Sequence, residues 1–174
     1  MLDVSVSYNR YKFLGYEFLT WLWFILDEGK NQPIKIQNDP VLLEVDNRIV
    51  LENSLNNMTE SVTIKGDGAG LEEAKLSLQK GGVVTECSFL LKTAGQEWRF
   101  CIKGENLTIS SLKPPETGRI EKKDDEEGCV LEKYYLYEKV VVVVESLYNR
   151  FIKLRISKNW ETDTVPRLKK WIKS

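Results

Sequence analysis

The sequence predicts an α+β protein in which helices pack on one antiparallel sheet of hairpins. Apolar residues recur with helical spacing near both ends of the chain, and the residues between them alternate as strands do. We expect an aromatic N-terminal helix, one short middle helix, and a long and a short C-terminal helix. The 174 residues are the length of about one domain. They divide into an α+β domain (1–115), an acidic flexible connection (116–128) and C-terminal helices packed on the same core (129–174).

The first helix is predicted over residues 11–27. One face carries apolar residues three or four apart, namely Leu14, Phe18, Trp21, Leu22 and Ile25. A second face carries Leu19, Trp23 and Leu26. A helix that is apolar nearly all round is buried on several sides or pressed against another subunit. Trp21 and Trp23 are therefore candidate interface residues.

Two strand segments, residues 41–45 and 48–52, follow this helix. They flank Asp46 and Asn47, which tolerate positive φ and suit a tight turn. This pattern predicts a first hairpin.

A third strand is predicted over residues 61–65, followed by a short helix over residues 71–80. The glycine-rich segment 66–70 between them lacks the Lys-Ser/Thr of a phosphate loop, so we interpret it as a strand-to-helix turn. The inward side of the helix should carry Leu71, Ala74 and Leu78.

A second hairpin joins residues 83–92 and 97–103, with Ala94-Gly95 as its two-residue turn. This register pairs apolar residues on one face, namely Leu91 with Trp98, Phe89 with Phe100, and Cys87 with Ile102. It also pairs Cys101 with Ser88 on the other face, so Cys87 and Cys101 point apart and no disulfide joins them. A last strand is predicted over residues 106–110, before two consecutive prolines end the sheet.

The long C-terminal helix is predicted over residues 130–156. Apolar residues recur there at alternating spacings of four and three, as in a heptad repeat: Val130, Tyr134, Tyr137, Val141, Val144, Tyr148 and Phe151. The valine run 140–144 favours a strand, but the periodicity on both sides favours a helix. Its candidate interface residues, besides those of the first helix, are Tyr134, Tyr137, Val141, Val144 and Tyr148.

The closing helix lies within residues 160–172. Its apolar face carries Trp160, Leu168, Trp171 and Ile172. Pro166 fits the first turn of this helix, where a missing N–H is harmless.

Composition excludes several classes of function. The chain has no histidine, which excludes His-based triads, His zinc ligands and His haem ligands. Its three cysteines form no CxxC pair, and no catalytic, cofactor or metal motif is present. We therefore expect no enzyme activity, no cofactor and no metal. The most apolar segment is half the length of a membrane span and no secretory signal begins the chain, so we expect a cytoplasmic protein away from membranes.

Charge is unevenly distributed along the chain. The net charge is −1, yet residues 150–174 carry eight basic and two acidic residues, giving +6 there and −7 in residues 1–149. The candidate DNA-binding residues are Arg150, Lys153, Arg155, Lys158, Arg167, Lys169, Lys170 and Lys173. Such a basic end can approach phosphates. The alternative is two ordinary amphipathic helices whose lysine stems cover apolar surface, and charge alone favours it.

Several runs resemble the RdgC-like recombination-associated proteins of bacteria. The most specific is residues 13–24, Phe-Leu-Gly-Tyr-Glu-Phe-Leu-Thr-Trp-Leu-Trp-Phe. Shorter runs follow in the same order, at residues 48–51, 73–76, 80–81, 97–100, 151–157, 160 and 171–172. The resemblance implies a non-enzymatic homodimer that binds DNA with little sequence preference. It covers the later part of a typical member, which implies that a ring-closing module is missing or comes from a separately encoded partner.

Three functions therefore follow as hypotheses. The first is sequence-independent DNA binding through the basic C-terminal helices. The alternative is a protein-interaction or assembly module that works through the long C-terminal helix and the aromatic first helix. A metal-dependent nuclease is the third, and it would need several carboxylates that converge in a pocket.

Overall fold

The described part of the chain consists of four helices and a six-stranded antiparallel sheet, which confirms the predicted α+β class. A computed structural model describes residues 4–30, 32–37, 39–55, 58–65, 69–116 and 126–174. The helices are α1 (Val4–Glu28), α2 (Ala69–Gln79), α3 (Glu126–Arg155) and α4 (Val165–Lys173). The strands are β1 (Ile34–Ile36), β2 (Asp39–Leu55), β3 (Met58–Lys65), β4 (Val83–Thr93), β5 (Gln96–Lys103) and β6 (Thr108–Lys113).

The long strand β2 organises the sheet, whose order is β1-β2-β4-β5-β6 with β3 also paired to β2. The prediction of a hairpin at Asp46-Asn47 is wrong, because the chain continues through both residues within β2. The register against β4 shifts between Val45 and Ile49. Both halves of β2 have their own antiparallel partner, because β1 pairs with the first half and β3 pairs with the second half. The two halves therefore do not pair with each other.

The β4–β5 hairpin is confirmed pair by pair. Ala94 and Gly95 form its turn with φ of 48° and 76°, both positive as a tight primed turn requires. The observed register pairs Leu91 with Trp98, Phe89 with Phe100, Cys87 with Ile102 and Ser88 with Cys101. The cysteines are free, and Cys87 and Cys101 lie on opposite faces of the sheet.

The remaining short elements are close to their predicted positions. The third strand lies inside β3, and α2 buries Ala74 and Leu78. The start of the predicted glycine turn (66–68) and the side chain of Leu71 lie outside the described residues. The last strand begins later than predicted, because Asn106 accepts a hydrogen bond from the Thr108 amide in a turn before β6.

One apolar core joins the sheet to α1, α2, α3 and α4. Alternate strand residues such as Leu91 and Trp98 face this core, and α1 packs across β4 and β2. The Trp98 indole N–H donates to the carbonyl of Leu136 at 3.0 Å and so ties β5 to α3. Helix α3 is confirmed despite its valine run. Residues 117–125 of the predicted acidic connection lie outside the described residues, and 126–128 belong to α3.

The C-terminal end packs back onto α1 and α2. A π-helical turn (Trp160–Thr164) leads into α4, whose first turn holds Pro166 as predicted. Asp27 of α1 accepts hydrogen bonds from the Trp171 indole at 2.6 Å and from Lys75 of α2 at 3.0 Å. Burial alone would raise the pKa of Asp27, but these two donors outweigh burial and lower it. No helix among the described residues has the length and apolarity needed to cross a membrane.

Candidate nucleic-acid interface

A cleft of about 760 Å³ opens between the end of α1, the end of α3, the π-helical turn and the start of α4. Its apolar side is formed by Trp21, Phe24, Ile25 and Leu154. Its charged side chains are Glu28, Arg150, Asp163 and Arg167. Two of the predicted DNA-binding residues therefore meet at one concave site, although they lie in different helices.

Arg167 is held within the chain by two carboxylates. Its guanidinium binds Glu28 at the end of α1 and Asp163 of the π-helical turn, the latter at 3.2 Å, and lies over the ring of Phe24. The hydrogen bonds to Asp163 and then Glu28 raise the pKa of Arg167. The positive charge of Arg167 is thus largely balanced before any ligand arrives.

Arg150 faces the same cleft without such a partner. It is exposed, and no described carboxylate lies within 4 Å of its guanidinium. Lys153 follows it by three residues and Lys170 follows Arg167 by three, so each is a neighbour on the helix surface. Both lysines are exposed and lack an ion pair with the described residues. Of these three cations, Arg150 lines the cleft, whereas Lys153 and Lys170 are not among its lining residues. We call Arg150, Lys153 and Lys170 together the cleft cations.

Other predicted DNA-binding residues lie elsewhere. Arg155 binds Glu17 of α1 at 2.7 Å and stacks on Trp160. Lys169 borders a second, mainly apolar groove of about 450 Å³ between α1 and α4. Lys158 and Lys173 are exposed and lack an ion pair with the described residues. The eight cations are therefore not gathered in one stripe, because Arg150 and Arg167 line the cleft whereas Arg155 binds Glu17 and Lys169 borders the second groove.

The predicted interface residues differ in how far they are buried within the chain. Trp21, Trp23 and Val144 are buried within the chain itself, so the prediction that they bind a partner is wrong for these three. Helices α3 and α4 cover the apolar faces of α1, so no second subunit is needed to bury them. Tyr148 is half-buried, with its ring edge against Phe18.

Tyr134, Tyr137 and Val141, in contrast, are exposed on α3. Three further large apolar side chains of the same half-helix are exposed as well, namely Val130, Leu131 and Tyr135. The face of α3 that enters the core is another one, formed by Leu136, Val140, Val143, Leu147 and Phe151. In the C-terminal half of α3, Val144 and Phe151 of the heptad-like stripe are buried with the core face. The stripe residues before Val144 are exposed.

Sequence reasoning missed Glu28 and Asp163 as members of the cleft. The four-residue spacing of Asp163 and Arg167 was a usable signal, because such pairs are neighbours on a helix. Glu28 gave no signal, since only the packing of α4 on α1 brings it to Arg167.

The thiols of Cys87 and Cys101 are buried, and the pKa of each is raised. Burial, and then a hydrogen bond to Glu86, raise the pKa of Cys101 to about 11, while Arg48 holds Glu86 at 2.7 Å. Burial also raises the pKa of Cys87 well above its usual value. Across the ranges that the structure describes, no three Cys, Asp or Glu side chains are grouped so that they could hold a metal ion.

The resemblance to RdgC-like proteins stays a prediction that rests on the sequence runs given above. Within the most specific run, residues 18, 19 and 21–24 are buried in the core of this chain. No protein-family model, no curated protein and no solved structure matches this chain.

Proposed function

We propose that this chain is a non-enzymatic protein that binds the DNA backbone without sequence preference at the cleft between α3 and α4. The supporting observation is that Arg150 of α3 lines the cleft, with Lys153 and Lys170 one helical turn from lining residues of α3 and α4, and that none of the three has a carboxylate partner among the described residues. The proposal implies a cytoplasmic protein.

Backbone binding follows from the chemistry of these three side chains. Each phosphate that a cation neutralises releases condensed counterions, and this release supplies most of non-specific affinity. Contacts to phosphate carry no direct sequence information. The guanidinium of Arg150 is also able to bind a phosphate with two parallel hydrogen bonds.

The two acids in the cleft determine which of its two arginines contributes more to DNA binding. Glu28 and Asp163 already bind Arg167, so a phosphate would have to compete with both carboxylates for that guanidinium. Arg150 has no such competitor among the carboxylates that the structure describes. We therefore expect Arg150→Ala to weaken DNA binding more than Arg167→Ala does.

The proposal is tested by fluorescence anisotropy with a short labelled duplex at low salt. We expect micromolar binding, and a loss of about tenfold or more in Lys153→Glu/Lys170→Glu. The matched control is Lys103→Glu/Lys113→Glu, which changes two exposed lysines of β5 and β6 by the same charge and should lose less than about threefold. Absence of binding by the wild type, or equal losses in both double variants, would contradict the proposal.

A protein-interaction module is the second candidate, and the exposed apolar residues of α3 favour it. Large apolar patches on a protein surface commonly mark interaction sites. Such a module would bind its partner equally well with and without DNA. Light scattering separates the two candidates, because only a DNA-binding chain gains mass when a duplex is added.

A further inference from the structure

We propose that α3 pairs with α3 of a second copy of this chain, parallel and in register, through the stripe formed by Val130, Tyr134, Tyr137 and Val141. These side chains are 65%, 66%, 44% and 50% exposed, respectively. They lie in the N-terminal half of α3, whereas the cleft cations lie at its C-terminal end and on α4. The inference is therefore independent of DNA binding.

The spacing of the stripe is that of a coiled-coil seam. Its residues are four, three and four apart, which places them at d, a, d and a of successive heptads. The core face of α3, which contains Leu136, Val140 and Val143, is offset from this seam by roughly 100° around the helix, so the two faces are neighbours and Val140 stands at a g position between them. Helix α3 thus has one apolar side for the fold and another that the described chain leaves uncovered.

The charges beside the stripe indicate what covers it. Lys133 stands at a g position and Glu138 at an e position, and both are exposed without an ion pair to the described residues. In a parallel, in-register pair, the g residue of one helix faces the next e residue of the other. Lys133 of each copy would then meet Glu138 of the other. An antiparallel pair would instead bring lysine towards lysine and glutamate towards glutamate.

The area of the stripe indicates a weak, reversible dimer. Its four side chains expose roughly 400 Å² in each copy, so the stripe can bury at most roughly 800 Å² in the pair, which is less than the roughly 1,200 Å² of stable specific interfaces. We therefore expect a dissociation constant in the micromolar range rather than a permanent dimer.

Sedimentation equilibrium over about 1–200 μM chain tests the surface. The wild type should pass from 20.1 kDa towards twice that mass. We expect Tyr134→Ser/Tyr137→Ser to weaken association about tenfold or more. The matched control is Tyr135→Ser, since Tyr135 is 61% exposed on the same helix but lies outside the stripe. It should associate as the wild type does.

Charge exchange tests the orientation. Lys133→Glu alone and Glu138→Lys alone place like charges across a parallel seam, and each should weaken association about threefold or more. The double variant Lys133→Glu/Glu138→Lys should restore it. A wild type that stays monomeric, a loss in Tyr135→Ser equal to that of the stripe variant, or a double variant without rescue would overturn the proposal. Duplex binding by Tyr134→Ser/Tyr137→Ser is measured separately and should equal that of the wild type. A wild type that stays monomeric but binds duplex would overturn the dimer proposal and leave the proposed DNA binding intact.

Discussion

Alanine at Gly15 should destabilise the protein, although alanine is the better helix former. Gly15 lies in α1, within residues 13–24, where the helix backbone approaches the turn between β5 and β6. A Cβ atom at this position would overlap the carbonyl oxygen of Gly104 and would lie 2.8 Å from its carbonyl carbon. Only a residue without a side chain permits this approach.

The magnitude follows from two opposing effects. Alanine in place of glycine stabilises a helix interior by about 1 kcal/mol. Overpacking costs about 1–3 kcal/mol, and the upper end applies here because both partners are backbone. The Gly104 amide also donates to the carbonyl of Thr85 at 2.8 Å, which holds the turn in place. We therefore expect Gly15→Ala to lower the free energy of unfolding by about 2 kcal/mol.

Urea unfolding followed by tryptophan fluorescence measures this change. The matched control is Gly128→Ala in the first turn of α3, where an added Cβ meets nothing within 4 Å. That control should be more stable than the wild type by about 0.5–1 kcal/mol. A Gly15→Ala variant as stable as the wild type would show that α1 does not pack on this turn as described.

Two further predictions concern titratable groups. Asp27→Asn should lower the free energy of unfolding by about 1–2 kcal/mol near neutral pH, because the carboxylate binds Trp171. Because the folded pKa of Asp27 is lowered from 3.8, this difference should be full above about pH 5 and shrink as the pH falls below 3.8, in urea titrations at several pH values. A difference that stays constant through that range would contradict it. A disulfide reagent at pH 8 should modify Cys129 first, because burial keeps Cys87 and Cys101 protonated. More than one fast thiol in the native protein would argue against that burial.

Local patterns predicted the parts of the sheet whose partners are adjacent in sequence. The β4–β5 register follows from Ala94-Gly95 and the alternation beside it, because a two-residue turn fixes which residues face each other. Asp46-Asn47 gave the same kind of signal but lies inside β2. A turn and a bulge at Asp46-Asn47 can be told apart only once the pairing of β3 with β2 is known. No local sequence pattern reveals that pairing.

The candidate site was predicted only in part, because burial depends on how helices pack. The valine run gives α3 apolar residues on every side, so periodicity alone could not show that Val140 enters the core while Val141 faces outward. The predicted cations include the two that line the cleft, Arg150 and Arg167. It could not show that Arg167 is balanced by Glu28, which is distant in sequence.

The salt dependence of duplex binding tests directly whether neutralisation of phosphates supplies the affinity for DNA. Between about 50 and 200 mM salt, three phosphate contacts should give a slope of log K against log salt of about −3. In Lys153→Glu/Lys170→Glu the slope should become shallower by about 1–2. Each phosphate contact that is lost lowers the number of counterions that the DNA releases on binding. A flat salt response of the wild type, or a slope that the double variant leaves unchanged, would contradict DNA-backbone binding at this cleft.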